Sequence, residues 1–440
     1  MMPSLNPFRV LYLGAALPAQ SETFVYREVL GLRQRGLDVS IASVHAPGNS
    51  FGDDDVDALR SEVLEIYPPG RIRMIRDAAC SLLHVRGWRA LFCGLFDATT
   101  QPDVPLRKRP KVAWQCLAGM ALAWRVRKKR VQHVHAHMAH VPTTIAMYSA
   151  MALGIPWSFT GHAADLFRDR CMLKAKLRRA SQVMCISHWH RRFYQSVVAV
   201  PDEQLPLVRC AVDVTRWTKG TQPTLSILSV ARLVPKKGLD VLVRSIAALR
   251  QRGLDVACTI VGDGPERQAL TQLTRELKVQ ESVRLLGAQS NETVRQLMST
   301  HGLFALPCRI DNLNDRDGIP VALMEAMACG AAVVSGDLPT IRELIEHDVN
   351  GVLVPPDDVT ALTDALQGLL QDPARCRKYG EAARQTIERE FSLERNLDRL
   401  EAALRYDTNA AVNACSVQVH QTLDETRDVQ QQLLPDQSMP

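Results

Sequence analysis

Short apolar runs alternate with amphipathic stretches along most of this chain. Runs of four to seven mostly apolar residues predict buried strands, whereas apolar residues recurring every three or four positions predict helices. Their alternation is typical of βαβ units and of parallel sheets covered on both faces. The predicted strands are 10–13, 39–43, 133–137, 157–160, 183–187, 225–230, 256–261, 283–286, 302–306 and 332–335. The predicted helices are 23–35, 239–250, 266–277, 294–299, 320–329 and 341–346.

The alternation runs through the chain twice, and a stretch at 211–223 that contains Gly and Pro separates the two series. Two series predict an α/β fold with two doubly wound, Rossmann-like domains that face each other across a cleft. We expect the domains to span 1–213 and 214–390, and a C-terminal helix at 391–408 to return to the N-terminal domain. The polar remainder, 409–440, lacks periodicity and is expected to be disordered.

A basic insert at 67–130 interrupts the first series. Basic residues at 107–109 and 125–130 flank an apolar, helix-like segment, which favours peripheral contact with an anionic membrane surface. The alternative is a helical insert that packs on the domain and exposes a solvated basic rim. No segment reaches the roughly 18 apolar residues of a membrane-spanning helix. The insert carries three tryptophans: Trp88, Trp114 and Trp124.

Composition narrows the classes of function. The chain has 440 residues and a net charge of +6, which suits an anionic substrate or membrane surface but does not argue for nucleic acid. Its eleven cysteines include no C-x-x-C pair, which disfavours a disulfide framework or a zinc site and favours a reducing cytoplasm. The apolar run at 10–17 is short, so we interpret it as a buried strand and not as a signal peptide.

The segment 317–325 carries two carboxylates, Asp317 and Glu325, with Gly318 and Pro320 between them. It predicts a helix whose first turn offers free N–H groups and a positive dipole end, where a phosphate can bind. Eight residues span about 12 Å of helix. One carboxylate can therefore lie beside the phosphate site and the other two turns away, as a nucleotide diphospho-sugar would require. The alternative is an amphipathic core helix with an Asp near its N-cap.

Two further turns of the second series predict contacts with a nucleotide. Arg232 and Lys237 follow the strand at 225–230, and cations beyond a strand's carboxyl end can clamp a diphosphate; the alternative is a solvated turn. Gly262 and Gly264 follow the strand at 256–261 without completing a dinucleotide-binding motif. We expect these glycines to allow a tight turn and the close approach of a base or ribose.

In the first series, His162 and Asp165 follow the strand at 157–160 and are expected to face the same cleft. A histidine there can bind a sugar hydroxyl or stabilise charge, and the alternative is a structural loop histidine. A second group of histidines has the spacing of metal ligands. We do not expect it to bind metal, because strand alternation should send its side chains to opposite faces. The group comprises His133, His135, His137 and His140.

Taken in order, these motifs resemble family 4 of the retaining glycosyltransferases, which has a B architecture of two Rossmann-like domains. The resemblance covers about residues 8–400 and is most specific in the second domain, where 317–325 is followed by Ala-Met-Ala-Cys-Gly. The segment 18–24, Pro-Ala-Gln-Ser-Glu-Thr-Phe, is similar to the branch that makes exopolysaccharides of the colanic-acid type.

The resemblance implies roles for these residues. Arg232 and Lys237 would hold the donor diphosphate, Asp317 the donor sugar, and Glu325 the nucleotide ribose, while His162 would lie over the sugar. The backbone N–H groups of Ile319 and Val321, after Gly318, would face the phosphate, and Glu22 and Thr23 would lie in the acceptor-side loop. Gly262, Gly264 and Asp165 remain candidate substrate contacts on the grounds given above.

Two departures from the family pattern affect these expectations. The first carboxylate is usually Glu and here is the shorter Asp317, which can change the sugar preference. The usual Asn-Gly-Val-Asp segment reads Arg-Cys-Ala-Val-Asp at 209–213, so a contact of the linker can differ.

The implied function is metal-independent, cofactor-free transfer of a sugar, with retention, from a UDP- or GDP-sugar to a glycan or polyprenyl-linked acceptor. The implied location is the cytoplasm or the inner face of the cell membrane. The alternatives are a nucleotide-sugar epimerase of similar shape, a polymer phosphorylase with pyridoxal phosphate, for which no lysine stands out, and a non-catalytic sugar-nucleotide sensor.

Overall fold

The apolar runs form two six-stranded parallel sheets. This computed structural model describes residues 7–19, 22–47, 54–67, 70–162, 166, 170–219 and 224–406. The first sheet contains β1 Arg9–Gly14, β2 Asp38–Ser43, β3 Leu64–Glu65, β4 His133–His137, β5 Trp157–Thr160 and β6 Gln182–Met184. The second contains β7 Thr224–Val230, β8 Cys258–Val261, β9 Val283–Gly287, β10 His301–Leu306, β11 Ala332–Gly336 and β12 Val352–Val354.

Both sheets have the strand order of a Rossmann fold. The first runs β3-β2-β1-β4-β5-β6 and the second β12-β11-β10-β7-β8-β9, so each half of a sheet is wound outwards from its centre. The predicted α/β class with two doubly wound domains is therefore confirmed. The strand order reverses between β1 and β4 and between β7 and β10, and ligands of this fold bind beside such switch points.

Helices cover both faces of each sheet. The helices before the second sheet are α1 Thr23–Gln34, α2 Asp54–Ser61, α3 Arg71–Ser81, α4 Val85–Thr100, α5 Arg109–Val126, α6 Val141–Leu153, α7 Leu173–Arg179 and α8 His188–Val197. Those after β7 are α9 Leu239–Gln251, α10 Arg267–Glu276, α11 Asn291–Thr300, α12 Val321–Ala328, α13 Val359–Gln371, α14 Pro373–Thr386 and α15 Leu393–Arg405.

The observed bounds differ from the predicted ones at element ends. Residues 341–346 form only a short 3-10 turn, Ile341–Glu343, and the strand predicted from 256 begins at Cys258. Pro320 is the N-cap of α12 and not its first helical residue, because its ψ of 126° is extended. Asp165 and the tail at 409–440 lie outside the described residues.

The last helix packs against the first domain. Val212 forms two backbone hydrogen bonds with the residues that precede and begin this helix. Its N–H donates to Phe391 O, and its carbonyl oxygen accepts from Leu393 N, both at 2.9 Å. A Cβ at Gly31 of α1 would lie 2.3 Å from a methyl carbon of Leu397, so only glycine lets α1 and α15 pack this closely. The C-terminal helix thus joins the two domains a second time.

The insert differs from the expectation in one respect. The apolar segment predicted to present an exposed, Trp-bearing face is α5, and this helix lies inside the insert, packed by α3, α4 and α6. Trp114 and Trp124 are half-buried, and Trp88 on α4 is exposed. Among the described residues, no helix combines the length and the apolar character needed to cross a bilayer.

A buried carboxylate ties α4 to the rest of this domain. Asp97 is fully buried and accepts hydrogen bonds from Tyr148 Oη at 2.8 Å and from two nitrogens of Arg179 at 2.5 and 2.9 Å. Because the three side chains come from α4, α6 and α7, this network fixes the insert to the helices beside the first sheet.

We expect Asp97→Ala to lower the free energy of unfolding by about 3 kcal/mol, because it strands the Tyr148 hydroxyl and a largely buried Arg179. Urea denaturation measures this loss. Asp398→Ala is the matched control, since Asp398 is largely exposed in its pair with Arg35 and should cost under about 1 kcal/mol. Equal losses in the two variants would contradict the structural role of Asp97.

Candidate active site

The residues predicted for the donor site follow the two central strands of the second sheet. Arg232 and Lys237 lie after β7, and Asp317 lies in the loop between β10 and α12. Because β7 and β10 are neighbours at the switch point, their loops meet at the carboxyl edge of the sheet. A Cβ at Gly238 would lie 2.1 Å from the carbonyl oxygen of Pro307, which shows how closely these loops pack.

Lys237 and Asp317 form an ion pair in this edge. Lys237 Nζ lies 2.7 Å from Asp317 Oδ2, and each side chain is only 13% exposed. Burial disfavours the charge on Lys237, but the facing carboxylate outweighs burial and raises the pKa of the ammonium above its ordinary value. Burial likewise opposes ionisation of Asp317, but Lys237 and Lys236 lower the pKa of its carboxyl below the ordinary value. Both partners are therefore charged.

Three neighbours that sequence reasoning missed complete this cluster. Lys236 Nζ lies 3.2 Å from Asp315 Oδ1 and 3.4 Å from Asp317 Oδ1, and Cys308 Sγ lies 3.4 Å from Asp317 Oδ2. The doubled lysines at 236–237 and the alternating acids at 315 and 317 were a signal of paired charges. Their pairing could not be inferred, because about 80 residues separate the two segments.

Arg232 has a different environment. It is exposed, and no ion pair of Arg232 occurs within the part of the chain that the structure describes. The positive charge of Arg232 acts to lower the pKa of the nearby Lys237 ammonium, against the larger effect of Asp317. Among the described residues, Arg232 therefore differs from Lys237, which is already paired with Asp317.

The two glycines after β8 support this turn. A Cβ at Gly262 would lie 1.9 Å from Ala231 O, and a Cβ at Gly264 would lie 2.4 Å from Leu233 O, with both glycines at positive φ. Their close approach is therefore to the backbone on either side of Arg232. The expectation that they admit a base or ribose is not needed to explain them, and their contact with a nucleotide stays a prediction.

The N-terminus of α12 completes the cationic side of the site. Gly318 and Ile319 precede the N-cap Pro320, and Val321 is the first helical residue. The first N–H groups of a helix have no partner within the helix and can bind an anion. Thr340 Oγ1 donates to the carbonyl oxygen of Asp317 at 3.1 Å and so holds the segment before this helix.

Glu325 lies one helical turn after Val321, the first residue of α12. Burial raises the pKa of its carboxyl to about 7. The charge of Arg27, which comes from α1 of the first domain, partly offsets this effect. Arg27 is itself buried, and its Nε has no hydrogen-bond partner among the described residues. A carboxyl with a pKa near neutrality and a partly unsatisfied guanidinium thus face the cleft from opposite domains.

His162 lies on the first-domain side among aromatic rings. Its ring stacks on His137 with centroids 5.5 Å apart and lies 4.8 Å from the ring of Phe24. Burial, reinforced by the neighbouring histidines, lowers its pKa well below the ordinary value, so the ring is neutral. Glu22 precedes α1, which begins at Thr23, and burial raises the pKa of Glu22, partly offset by His137.

The histidines of β4 correct one expectation. His133, His135 and His137 are two residues apart, so alternation puts them on one face of the strand and not on opposite faces. All three are buried. His135 is hydrogen-bonded to Ser158 and Thr160, and His133 to Ser158. The argument by which we excluded a metal was therefore wrong.

Glu28, His135 and His137 do bring three possible ligand atoms within 4.8 Å of one another. However, each ring nitrogen of His135 and His137 already has a polar partner within 3.2 Å. A metal ion would have to break these bonds. The arrangement is better described as a hydrogen-bonded chain: His137 Nε2 meets Glu28 Oε2 at 2.9 Å, and its Nδ1 meets His162 Nε2 at 3.2 Å.

The chain relates the proton positions of its members. With His137 neutral, donation from Nε2 to the Glu28 carboxylate leaves Nδ1 to accept from Nε2 of His162. Glu28 also accepts from Tyr12 Oη at 2.9 Å. The other ring nitrogen of His162, Nδ1, lies 4.0 Å from Cys210 Sγ.

The carboxylate of Glu343 links the two domains at the base of the cleft. Glu343 of the second domain accepts from the N–H groups of His188 and Trp189, each at 2.8 Å, and from Arg209 Nη1 at 3.0 Å. Although burial opposes ionisation, these donors lower the pKa of Glu343. Arg209 directly precedes 210–213, the four residues that stand where the family usually has Asn-Gly-Val-Asp.

Two family models match the chain. "Glycosyltransferase Family 4" matches residues 21–216, and "Glycosyl transferases group 1" matches residues 217–386. Together the matched segments run through both sheets and include Lys237, Asp317 and Glu325.

Individual relatives agree with the models. The putative colanic acid biosynthesis glycosyltransferase WcaL of Escherichia coli (strain K12) is 29% identical in an alignment of length 403 that covers 85% of this chain and 94% of the relative. The amylovoran biosynthesis glycosyltransferase AmsK of Erwinia amylovora is 33% identical in an alignment of length 240 that covers 52% of this chain and 59% of the relative.

Solved structures share the fold. The crystal structure of Anabaena Alr3699/HepE in complex with UDP and glucose has a TM-score of 0.68 at 15% identity and covers 91% of this chain and 100% of its own. Sucrose-phosphate synthase (tll1590) from Thermosynechococcus elongatus has a TM-score of 0.67 at 16% identity and covers 90% of this chain and 98% of its own.

We expect Glu28→Gln to lower turnover about tenfold or more while the affinity for a nucleotide sugar stays unchanged, because the amide no longer fixes the proton of His137. Steady-state kinetics and calorimetric titration measure the two quantities. Tyr12→Phe is the control, since it removes the other hydrogen bond to Glu28 and leaves the histidine chain intact. Equal losses in both variants would indicate a packing role instead.

We expect the affinity for a nucleotide sugar to fall about tenfold from pH 8 to pH 6 if only ionised Glu325, with its pKa of about 7, binds the donor. The sign follows from the raised pKa, because the carboxyl is mostly protonated at the lower pH. Calorimetric titration across this range measures the change, and Glu325→Gln should flatten it. A slope that persists in that variant would assign the titration to another group.

Proposed function

Because this chain belongs to the group 1 and family 4 glycosyltransferases, we propose that it transfers a hexosyl group from a UDP- or GDP-sugar to a glycan or polyprenyl-linked acceptor. Its relatives in colanic acid and amylovoran biosynthesis support a place in the synthesis of an extracellular or surface polysaccharide.

The cluster around Lys237 and Asp317 is the observation that carries this proposal. In it, Arg232, Lys237 and the start of α12 converge on the switch point of the second sheet. A diphosphate bound there would receive charge from Arg232 and Lys237 and hydrogen bonds from the N–H groups of Ile319 and Val321. Asp317, already oriented by Lys237, would accept from hydroxyls of the donor sugar.

The remaining donor contacts follow from the direction of α12. Glu325 lies about one helical turn beyond Val321, the first residue of α12, and would accept from the nucleotide ribose. His162 would lie on the other side of the sugar, and Glu22 and Thr23 beside the acceptor. Since these groups come from both domains, we expect the cleft to narrow when the donor binds.

The chemistry needs mainly charge stabilisation. The leaving nucleoside diphosphate develops negative charge as the bond from the sugar to the phosphate oxygen breaks, and Arg232, Lys237 and the helix start can stabilise it without a metal ion. We propose that the acceptor hydroxyl attacks from the same face and passes its proton to the departing phosphate oxygen, which retains the anomeric configuration. A neutral His162 suits this route, because the positive charge of Arg232 and Lys237 then lies beside the departing phosphate and His162 adds none beside the sugar.

We place the reaction in the cytoplasm or at the inner face of the cell membrane, where nucleotide sugars are made. A polyprenyl-linked acceptor would require peripheral contact of the enzyme with that membrane. No observation on this chain favours an epimerase, a phosphorylase or a sensor over a transferase.

The experiment is a panel of UDP-, GDP-, ADP- and CMP-sugars, titrated with and without chelator while release of free nucleotide is followed. We expect tight binding of one donor that the chelator leaves unchanged. No binding of any nucleotide sugar would overturn the proposed site, and an isomerised nucleotide sugar would mark an epimerase.

We expect Lys237→Ala to lower turnover of that donor roughly 100-fold or more, because a cation is lost where charge develops. Glu325→Ala should likewise remove most transfer, through the ribose contact. Lys378→Ala, an exposed lysine on α14, is the control. Thermal unfolding must show that the variants are folded, and full activity in either site variant would refute the assignment.

A further inference from the structure

Helix α4 exposes its large apolar side chains and turns its small ones towards the protein, the reverse of an ordinary amphipathic helix. Its inward face is made of small residues, and a Cβ at Gly94 would lie 2.2 Å from Cys116 Sγ of α5. Its outward face carries large apolar side chains at the spacing of one helical stripe, and the rings of Trp88 and Phe92 stack with centroids 6.0 Å apart. The inward positions are Gly87, Ala90, Gly94 and Ala98, and the outward ones are Val85, Trp88, Phe92, Leu95 and Phe96.

This stripe continues onto α3 and the turn between the helices. Ile72 is 87% exposed, Leu83 76% and Phe92 63%. Nine of the fourteen large hydrophobic residues that are exposed in the described part of the chain lie within 72–106, and the other five are dispersed over 225–406. Such a concentration marks an interaction surface and not ordinary surface composition. We call it the α3–α4 face: Ile72, Ile75, Leu83, Val85, Trp88, Phe92, Leu95 and Phe96.

The charges around the α3–α4 face have one sign. Residues 70–111 are all described, and no carboxylate among them is exposed: Asp77 and Asp97 are buried in ion pairs, and Asp103 is half-buried. Every exposed charged residue in this segment is basic. These residues are Arg71, Arg73, Arg76, Arg86, Arg89, Arg107 and Lys111.

An open groove of about 460 Å³ adjoins α3. Arg73, Arg76 and Arg127 line it with Trp124, and the guanidinium of Arg127 lies 3.4 Å from the centre of the Trp124 ring. Arg125 also lines the groove, paired with Asp77. Arginines outnumber the acids of the lining, so the groove is suited to a phosphate group at the edge of an apolar surface.

We propose that the α3–α4 face docks on an anionic lipid bilayer, with its aromatic stripe in the interfacial layer and the surrounding arginines at the lipid phosphates. A second protein would cover an apolar stripe equally well, but residues 70–111, which expose basic side chains and no carboxylate, match a surface of uniform negative charge. The inference rests on the proposed function in one respect: a lipid-linked acceptor would lie in that bilayer.

The test uses the full chain and vesicles of phosphatidylcholine, with or without phosphatidylglycerol, followed by flotation. We expect the protein to float with the anionic vesicles and to be released by salt. Phe92→Glu with Phe96→Glu should abolish flotation, and Arg86→Gln with Arg89→Gln should weaken it about fivefold for each arginine. Val349→Glu with Tyr406→Glu adds the same charge at exposed apolar sites elsewhere and should leave flotation unchanged.

The outcomes separate this inference from the proposed function. Nucleotide-sugar binding by the α3–α4 variants should equal that of the natural chain, which also shows that they are folded. Flotation that survives both double variants, or that is equal on neutral and anionic vesicles, would overturn the inference. So would light scattering that shows a dimer which the Phe92 and Phe96 substitutions dissociate, because the face would then be a contact between two copies of the chain.

Discussion

The buried ion pair between Lys237 and Asp317 is the interaction on which the donor half of the cleft depends. Each charge would cost several kcal/mol to bury alone, so each is tolerable only because the other is 2.7 Å away. The pair joins the loop after β7 to the loop before α12 across the switch point. It therefore fixes together the cation that we propose for the phosphate, the carboxylate that we propose for the sugar and the start of the helix.

The two walls of the cleft differ in charge, and the difference fits the reaction proposed. The second-domain wall concentrates Arg232, Lys236, Lys237 and a helix N-terminus where a diphosphate would leave. Across from it, His162 is held neutral by burial, and its Nε2 is hydrogen-bonded to His137 in a chain that ends at Glu28. A cationic histidine near the sugar would compete with the lysines for the leaving phosphate, and a neutral one does not.

Much of the fold could be predicted from the sequence because alternation of strand and helix is a local signal. The segment at 317–325 likewise predicted its helix to within one residue, since Pro and Gly mark helix ends. Contacts between distant segments were out of reach: the pairing of Lys237 with Asp317 and the packing of Gly262 against Ala231 depend on loops that meet only after the sheet has formed. The site roles drawn from resemblance stay predictions.

Two predictions about which way side chains face were wrong, each for a specific reason. The histidines of β4 were assigned to opposite faces although a spacing of two residues puts them on one, which concealed the chain from Glu28 to His162. The apolar, Trp-flanked segment that became α5 was expected to be the exposed face of the insert. A sequence pattern shows that a helix has an apolar side, but not whether that side faces the protein, and in α4 the small residues face inwards.

The linker explains how two separately folded sheets can present one site. Glu343 accepts three hydrogen bonds from the first domain and the linker, and the positive charge of Arg209 offsets the cost of removing its carboxylate from water. The next residue, Cys210, contacts His162, so the segment that ties the domains together also touches the first-domain wall of the cleft. The base of the cleft is therefore held by charge, and we expect its outer walls to approach each other around a donor.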